Sequence, residues 1–303
     1  MGKICTIVSL LFMVGCLFFA PGAKADWFGT EGNQFEIDFV PILGSTNPIS
    51  GYGIVNHDYR IGTLEISNDQ WTKFTASLGV PVTGSPLSAY NGGIYWPGAN
   101  VANNRSSLYE AAQFVNWLNT SEGYDPAYNF TGTQGTSDYT LATWSPGLYR
   151  NENAMYFLPN EDEWVKAAYW NGTSLQTYAS IGDVTPTQAG WNYGQTGTHT
   201  GPWAVGSGSQ ELNDTYDMMG NVSEWSETWL FSVGYDRYVD RGGAYNSALS
   251  VLASSTRPSL TPEIEGVSVG FRVASVPEPI SMVMLGCLGA GMVAARKLRR
   301  QRS

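Results

Sequence analysis

Apolar positions along the chain predict three helices separated by long polar stretches. Trp71, Phe74 and Leu78 fall at i, i+3 and i+7 and form one stripe. Ser67 or Asn68 caps that helix, and Gly79 stops it. Ser107 and Glu110 are spaced as a capping box for a second helix, in which Ala111, Phe114, Val115 and Leu118 share a face. A third starts at Asn160, with Glu163 three residues on, and turns Trp164, Ala167 and Ala168 inward. Short strands are expected over 59–66 and 267–274. Between these elements lie the Gly/Ser/Thr/Asn-rich connections 123–151 and 185–212. Connections this long in a compact domain are functional, or are organised by side-chain bonds and ions. No tandem repeat is present.

The two ends follow different rules. A basic start (1–3), an apolar run (4–20) and the small-x-small site Ala23-Lys24-Ala25 read as a signal peptide over residues 1–25, removed by signal peptidase ahead of Asp26. A retained anchor is the competing reading; it needs roughly 20 apolar residues and no cleavage site. At the other end, Pro277-Glu278-Pro279 precedes an apolar run (280–295) and the basic cluster Arg296, Lys297, Arg299, Arg300 and Arg302. That order over 276–303 resembles a PEP-CTERM sorting signal. The resemblance implies processing by an exosortase, transient membrane anchoring, and a place on the outer surface or in the extracellular matrix of a Gram-negative bacterium. The apolar run is short for a permanent span of about 20 residues, and its basic flank favours the cytoplasmic side. A plain C-terminal anchor is the alternative.

What remains, residues 26–275, suits one large domain of about 250 residues. Cys5, Cys16 and Cys287 all fall in the predicted ends, so this domain has no cysteine and folds without disulfides. The formal charge of the whole chain is −10. The ends also hold seven of its 16 basic residues and only one of its 26 acidic ones, which leaves the domain more acidic still. Such a surface excludes nucleic acid as a partner and suits divalent cations or a polysaccharide.

Five segments now fall into one order: 59–74 (YRIGTLEISNDQWTKF), 109–119 (YEAAQFVNWLN), 157–169 (FLPNEDEWVKAAY), 216–225 (YDMMGNVSEW), and Arg241-Gly242-Gly243 closed by Gly270-Phe271-Arg272. Together they resemble the formylglycine-generating enzyme (sulfatase-modifying factor) family. The resemblance implies an α+β, C-type-lectin-like domain, loop-rich with short strands and few helices. Aerobic members bind Cu(I) through two cysteines five apart, and soft Cu(I) demands thiolates. Counting from Arg241 puts Ser247 and Leu252 at those positions, so no copper is expected. An iron site needs two histidines and a carboxylate; only His57 and His199 exist, each in a turn-like context. The resemblance also implies a structural Ca²⁺ held by the Asp217 side chain, the carbonyls of Gly220 and Val222, and Glu224, a hard-oxygen set around a glycine turn. The alternative is a calcium-free turn in which Asn221 bonds the backbone and Glu224 is exposed. A second family site would use Asn192, but its Asp-Gly partner is missing from 194–206.

Arg241 and Arg272 need buried carboxylates such as Glu163 or Glu224. Trp164, Trp225 and Phe271 are expected in the core. Trp96, Trp144, Trp191, Trp203 and Trp229 lie in predicted loops, where they could stack on sugar rings. The combined reading is an exported, surface-sorted binding or structural module. Its extracellular polysaccharide or protein ligand meets the segment 245–257, first through Tyr245, Asn246 and Ser247. An enzyme of this family with a different oxidative chemistry is the alternative, and a matrix protein without a specific ligand is a third reading.

Overall fold

The computed structural model describes residues 24–142, 150–195, 201–232 and 235–277. Trp144, His199, all three cysteines and most of both predicted ends lie outside them. Strands and helices, each numbered in chain order, are β1 (Lys24–Phe28), β2 (Phe35–Ile42), β3 (Tyr59–Gly62), α1 (Asn68–Leu78) and α2 (Leu108–Ser121). Then come β4 (Phe130–Thr131), β5 (Thr140–Leu141), β6 (Tyr156–Phe157) and α3 (Glu161–Tyr169). The last third holds β7 (Ser223–Ser232), β8 (Tyr235–Arg241), β9 (Ser259–Leu260), β10 (Val269–Gly270) and β11 (Ala274–Ser275). Among the described residues, no helix is long and apolar enough to cross a membrane.

All three helices start where the caps predict. Ser67, Ser107 and Asn160 each accept from the backbone N–H three residues on, and Gln70, Glu110 and Glu163 answer to the cap's own N–H. Gly79 ends α1 with φ at 73°, a left-handed cap that glycine adopts without a Cβ penalty. The β1–β2 hairpin is an element the periodicity reading omitted. Phe35, Ile37 and Phe39 alternate with exposed Glu36 and Asp38 along β2, a period of two. Lys24 and Ala25 belong to β1, within the predicted signal peptide, and pair with Phe39 and Asp38. Asp26 itself takes a two-pronged bond from Arg60 (3.1 and 2.6 Å) and one from the Tyr156 hydroxyl.

One sheet runs in the order β1-β2-β3-β11-β6 and a second in the order β10-β7-β8-β9. Aromatic side chains fill the space between the first sheet and the helices: Phe74 and Phe271 each meet Phe114 edge-on, at 5.1 and 5.3 Å between ring centroids. Helix α2 is buried from Leu108 to Asn119 on every face, not along one stripe. Its polar residues bind loops instead of water. Asn116 exchanges two hydrogen bonds with the backbone of Tyr128. Asn119 donates to the carbonyl of Tyr156 and accepts from the N–H of Met155 and Tyr156. Long irregular connections are thereby satisfied by buried amides.

Glu110, which caps α2, is buried, and burial pushes its carboxyl up to about 8, with Glu265 beside it adding to the rise. A carboxyl raised in this way keeps its proton only in the folded chain between its ordinary range and about 8. Stability from this group is therefore complete in mild acid, declines as pH rises through that window, and levels off above it. Melting should be higher at pH 5 than at pH 9. Glu110→Gln keeps the cap acceptor and should remove that part of the slope. An unchanged slope in the variant would contradict the assignment.

Candidate functional site

The three closing motifs meet at one residue. In the second sheet β7 runs parallel to β10 and antiparallel to β8, and this register sets Glu224 opposite both Gly270 and Arg241. Glu224 is fully buried. Its carboxylate accepts from Arg272 Nε (2.6 Å), Arg272 Nη2 (2.5 Å) and the indole Nε1 of Trp164 (2.7 Å). Arg272, equally buried, spends its remaining donors on the carbonyls of Gly62 and Tyr216. The bidentate pairing expected for Arg272 is present. Arg241 pairs with Glu161 instead, and Arg257 shares that carboxylate. Glu163 binds Arg150 (2.7 Å) and lies 3.2 Å from His57 Nε2. Burial alone would raise Glu163, but these two partners hold it down at about 2.

This geometry shows how the residues of the expected calcium turn are engaged within the chain. Both oxygens of Glu224 face a guanidinium or an indole N–H, so Glu224 is not the exposed group of the alternative. Asp217 accepts from the Gly206 N–H at 2.7 Å, and Val222 directs its N–H to Glu65. Among the described residues, no three His, Cys, Asp or Glu side chains are grouped to hold a metal ion. The two carboxylates of the expected shell, Asp217 and Glu224, are thus each engaged by donors of the chain itself. Burial pushes Asp217 up to about 6 and Glu211 to about 8. Burial thus favours the neutral form of Glu211.

Asn221 organises the turn. It sits in the left-handed region with φ at 55°, a conformation asparagine tolerates better than most residues. Its amide donates to Glu65 (2.5 Å), and its side-chain oxygen accepts from Asn192 Nδ2 (3.1 Å) and the Trp203 N–H (2.6 Å). Its backbone N–H bonds the carbonyl of Asn192, and its carbonyl accepts from Tyr245. A β-carbon at the preceding Gly220 would collide with that Asn192 carbonyl.

Through these bonds the turn fixes a cleft of about 240 Å³ between the loops around Trp96 and Trp203. Trp96 meets the ring of Tyr245 edge-on at 5.8 Å. Gln195 and Gly194 donate to the carbonyls of Tyr245 and Ser247, which stitches segment 244–247 beside the cleft. Of the contacts expected there, only Asn246 is exposed. Tyr245 is buried beneath Trp96, and the Ser247 hydroxyl accepts from the Ala244 N–H at 2.9 Å. Leu252, the other position matching the cysteine pair, is in the core. Trp191 and Trp229 are committed to Glu211 and Asp236.

Comparison with known proteins identifies the domain. The model of the sulfatase-modifying factor enzyme 1-like domain matches residues 30–276. The chain belongs to that family. A curated relative, the chaperone protein LppX of Paenibacillus barcinonensis, is 25% identical over 225 residues, which is 66% of this chain and 75% of LppX. Among solved structures, Treponema denticola variable protein 1 superposes with a TM-score of 0.62 at 19% identity, covering 85% of this chain and all of that one. CarF gives the same TM-score at 24% identity over 80% of this chain and 99% of its own. PvdO from Pseudomonas aeruginosa gives 0.52 at 14%, over 84% and 92%. These likenesses establish the α+β, loop-rich fold.

Sequence reasoning missed Glu65 and the central role of Asn221. Glu65 lies within segment 59–74, but its partners Asn221 and Val222 are more than 150 residues away. Only the GN pair at a tight turn pointed toward Asn221.

Proposed function

We propose that this family member is a surface-sorted binding module that presents a ligand cleft where its relatives would carry copper chemistry. The observation that carries the proposal is the fate of segment 241–257. Ser247 is spent on its own loop, Leu252 is in the core, and the same segment backs an aromatic cleft through Tyr245. Neither position offers the soft ligand that Cu(I) needs. The curated relative described as a chaperone is compatible with binding as the retained role. The N-terminal signal pattern and the Pro-Glu-Pro, apolar, basic order at the C-terminus support the surface address.

Expressed in an exosortase-bearing Gram-negative host, the chain should be recovered from the surface or matrix fraction without Cys287. The recovered protein should bind a component of that fraction. A Cys-x-Pro-x-Arg peptide given Cu(I), oxygen and this protein should show no aldehyde by mass spectrometry. Aldehyde above a no-protein control, or recovered protein that binds nothing in the fraction, overturns the reading.

A further inference from the structure

We infer that the Trp96–Trp203 cleft takes one ring of a neutral saccharide chain, an inference that rests on the binding-module reading and names its ligand class. The walls come from two loops that are tied to each other. Val101 and Ala204 form an antiparallel bridge, and the Val205 N–H bonds the Asn100 carbonyl at 2.8 Å. Trp96 is held at its backbone by Asn104 Oδ1 and Asn68 Nδ2, and Trp203 by Asn221. Gly201 lies flat against the Trp96 indole, where a β-carbon would come within 2.6 Å of the ring. The cleft is thus built in advance of any ligand, which lowers the ordering cost of binding.

Its chemistry is specific. Two indoles and the rings of Pro97 and Pro202 supply apolar faces, Gln195 supplies an amide, and among the described residues no charged side chain lines the walls. Among the described residues, the indole Nε1 of Trp96 has no hydrogen-bond partner, and neither does Oδ1 of Asn192, whose Nδ2 holds the Gly201 carbonyl. A pyranose matches these walls, with an apolar face for the indoles and hydroxyls at its edge for the Gln195 amide. At about 240 Å³ the cleft is smaller than the ~300–1,000 Å³ of sites that enclose a whole drug-sized molecule. That size favours a single ring within a chain. A polyproline peptide docks along an extended aromatic-lined groove, for which one small cleft is a poor match. The net charge of −10 disfavours polyanionic chains such as uronates.

The test is tryptophan emission of the full-length chain, titrated separately with neutral glucan oligosaccharides, a uronate oligosaccharide and a proline-rich peptide. A saturable change is expected with a neutral sugar alone. Trp203→Ala should weaken it about tenfold, the size of one lost aromatic contact. Trp96→Phe keeps a ring but a smaller apolar face, and should weaken binding by less. Should Trp203→Ala fail to fold, Gln195→Ala serves, because the Gln195 backbone bond to Tyr245 survives it. A response to peptide or uronate in place of neutral sugar overturns the saccharide assignment, as does unchanged affinity in the cleft variants. If neutral sugars fail while the protein still binds the matrix fraction, only this inference falls. If both fail, the binding-module reading falls with it.

Discussion

Arg272→Ala should lower the melting temperature of the chain by about 10 °C or more. The guanidinium is fully buried and makes both of its carboxylate contacts to Glu224, which is equally buried. Removing one partner of a buried pair leaves an uncompensated charge and costs about 3–5 kcal/mol. In a domain of 150–250 residues each kcal/mol shifts melting by about 2–4 °C. The carbonyls of Gly62 and Tyr216 would lose a donor at the same time. Arg272→Lys retains the charge but not the planar fork, so its loss should fall between wild type and alanine. A drop of only a degree or two in Arg272→Ala, followed by circular dichroism, would show that the three closing motifs are not locked through this pair.

The second large effect is expected at Asn221. Asn221→Asp is nearly isosteric and keeps an acceptor for the Trp203 and Asn192 N–H groups. It replaces the donor facing Glu65 with a second carboxyl oxygen in a site with no exposure. Two buried carboxyls cannot both ionise at such a distance, and the buried hydrogen bond lost at Glu65 adds about 1–3 kcal/mol. The variant should melt several degrees below wild type at neutral pH and recover part of the loss in acid, where a proton can sit between the two carboxyls. Because Asn221 also holds the backbone of Trp203, the emission of that indole should change as well. A variant with wild-type melting at both pH values would remove Asn221 from the centre of this account.

Much of the fold is legible along the chain. The capping boxes at Ser67, Ser107 and Asn160 are local signals that the tertiary structure does not override. The alternation of Phe35, Ile37 and Phe39 was equally readable, and periodicity could have placed β2. The burial of Asn116 and Asn119 was not readable. Their partners lie 12 and 37 residues away, Tyr128 in irregular backbone and Tyr156 in the two-residue strand β6, where no periodicity announces a contact. The candidate site divides the same way. The turn around Gly220 is a local feature, and its resemblance to a known motif brought calcium with it. What decides the role of Glu224 is the parallel register of β7 and β10, which brings in Arg272 from 48 residues downstream. Similarly, five loop tryptophans looked equivalent in sequence; among the described ones, the bridge between Val101 and Ala204 brings Trp96 and Trp203 together, while Trp191 and Trp229 bond Glu211 and Asp236.

The central claim is that the chain's own ion pairs and amides close this turn and hold the cleft, without a metal. Thermal melting of the full-length protein in millimolar calcium and in excess chelator tests it most directly. An ion that binds only the folded chain at about 100 times its Kd would add roughly 2.7 kcal/mol, a shift of several degrees. With Glu224 engaged by Arg272 and Trp164, the two melting curves should superimpose. A calcium-dependent rise that disappears in Asp217→Ala would contradict the account and restore the cation to the turn.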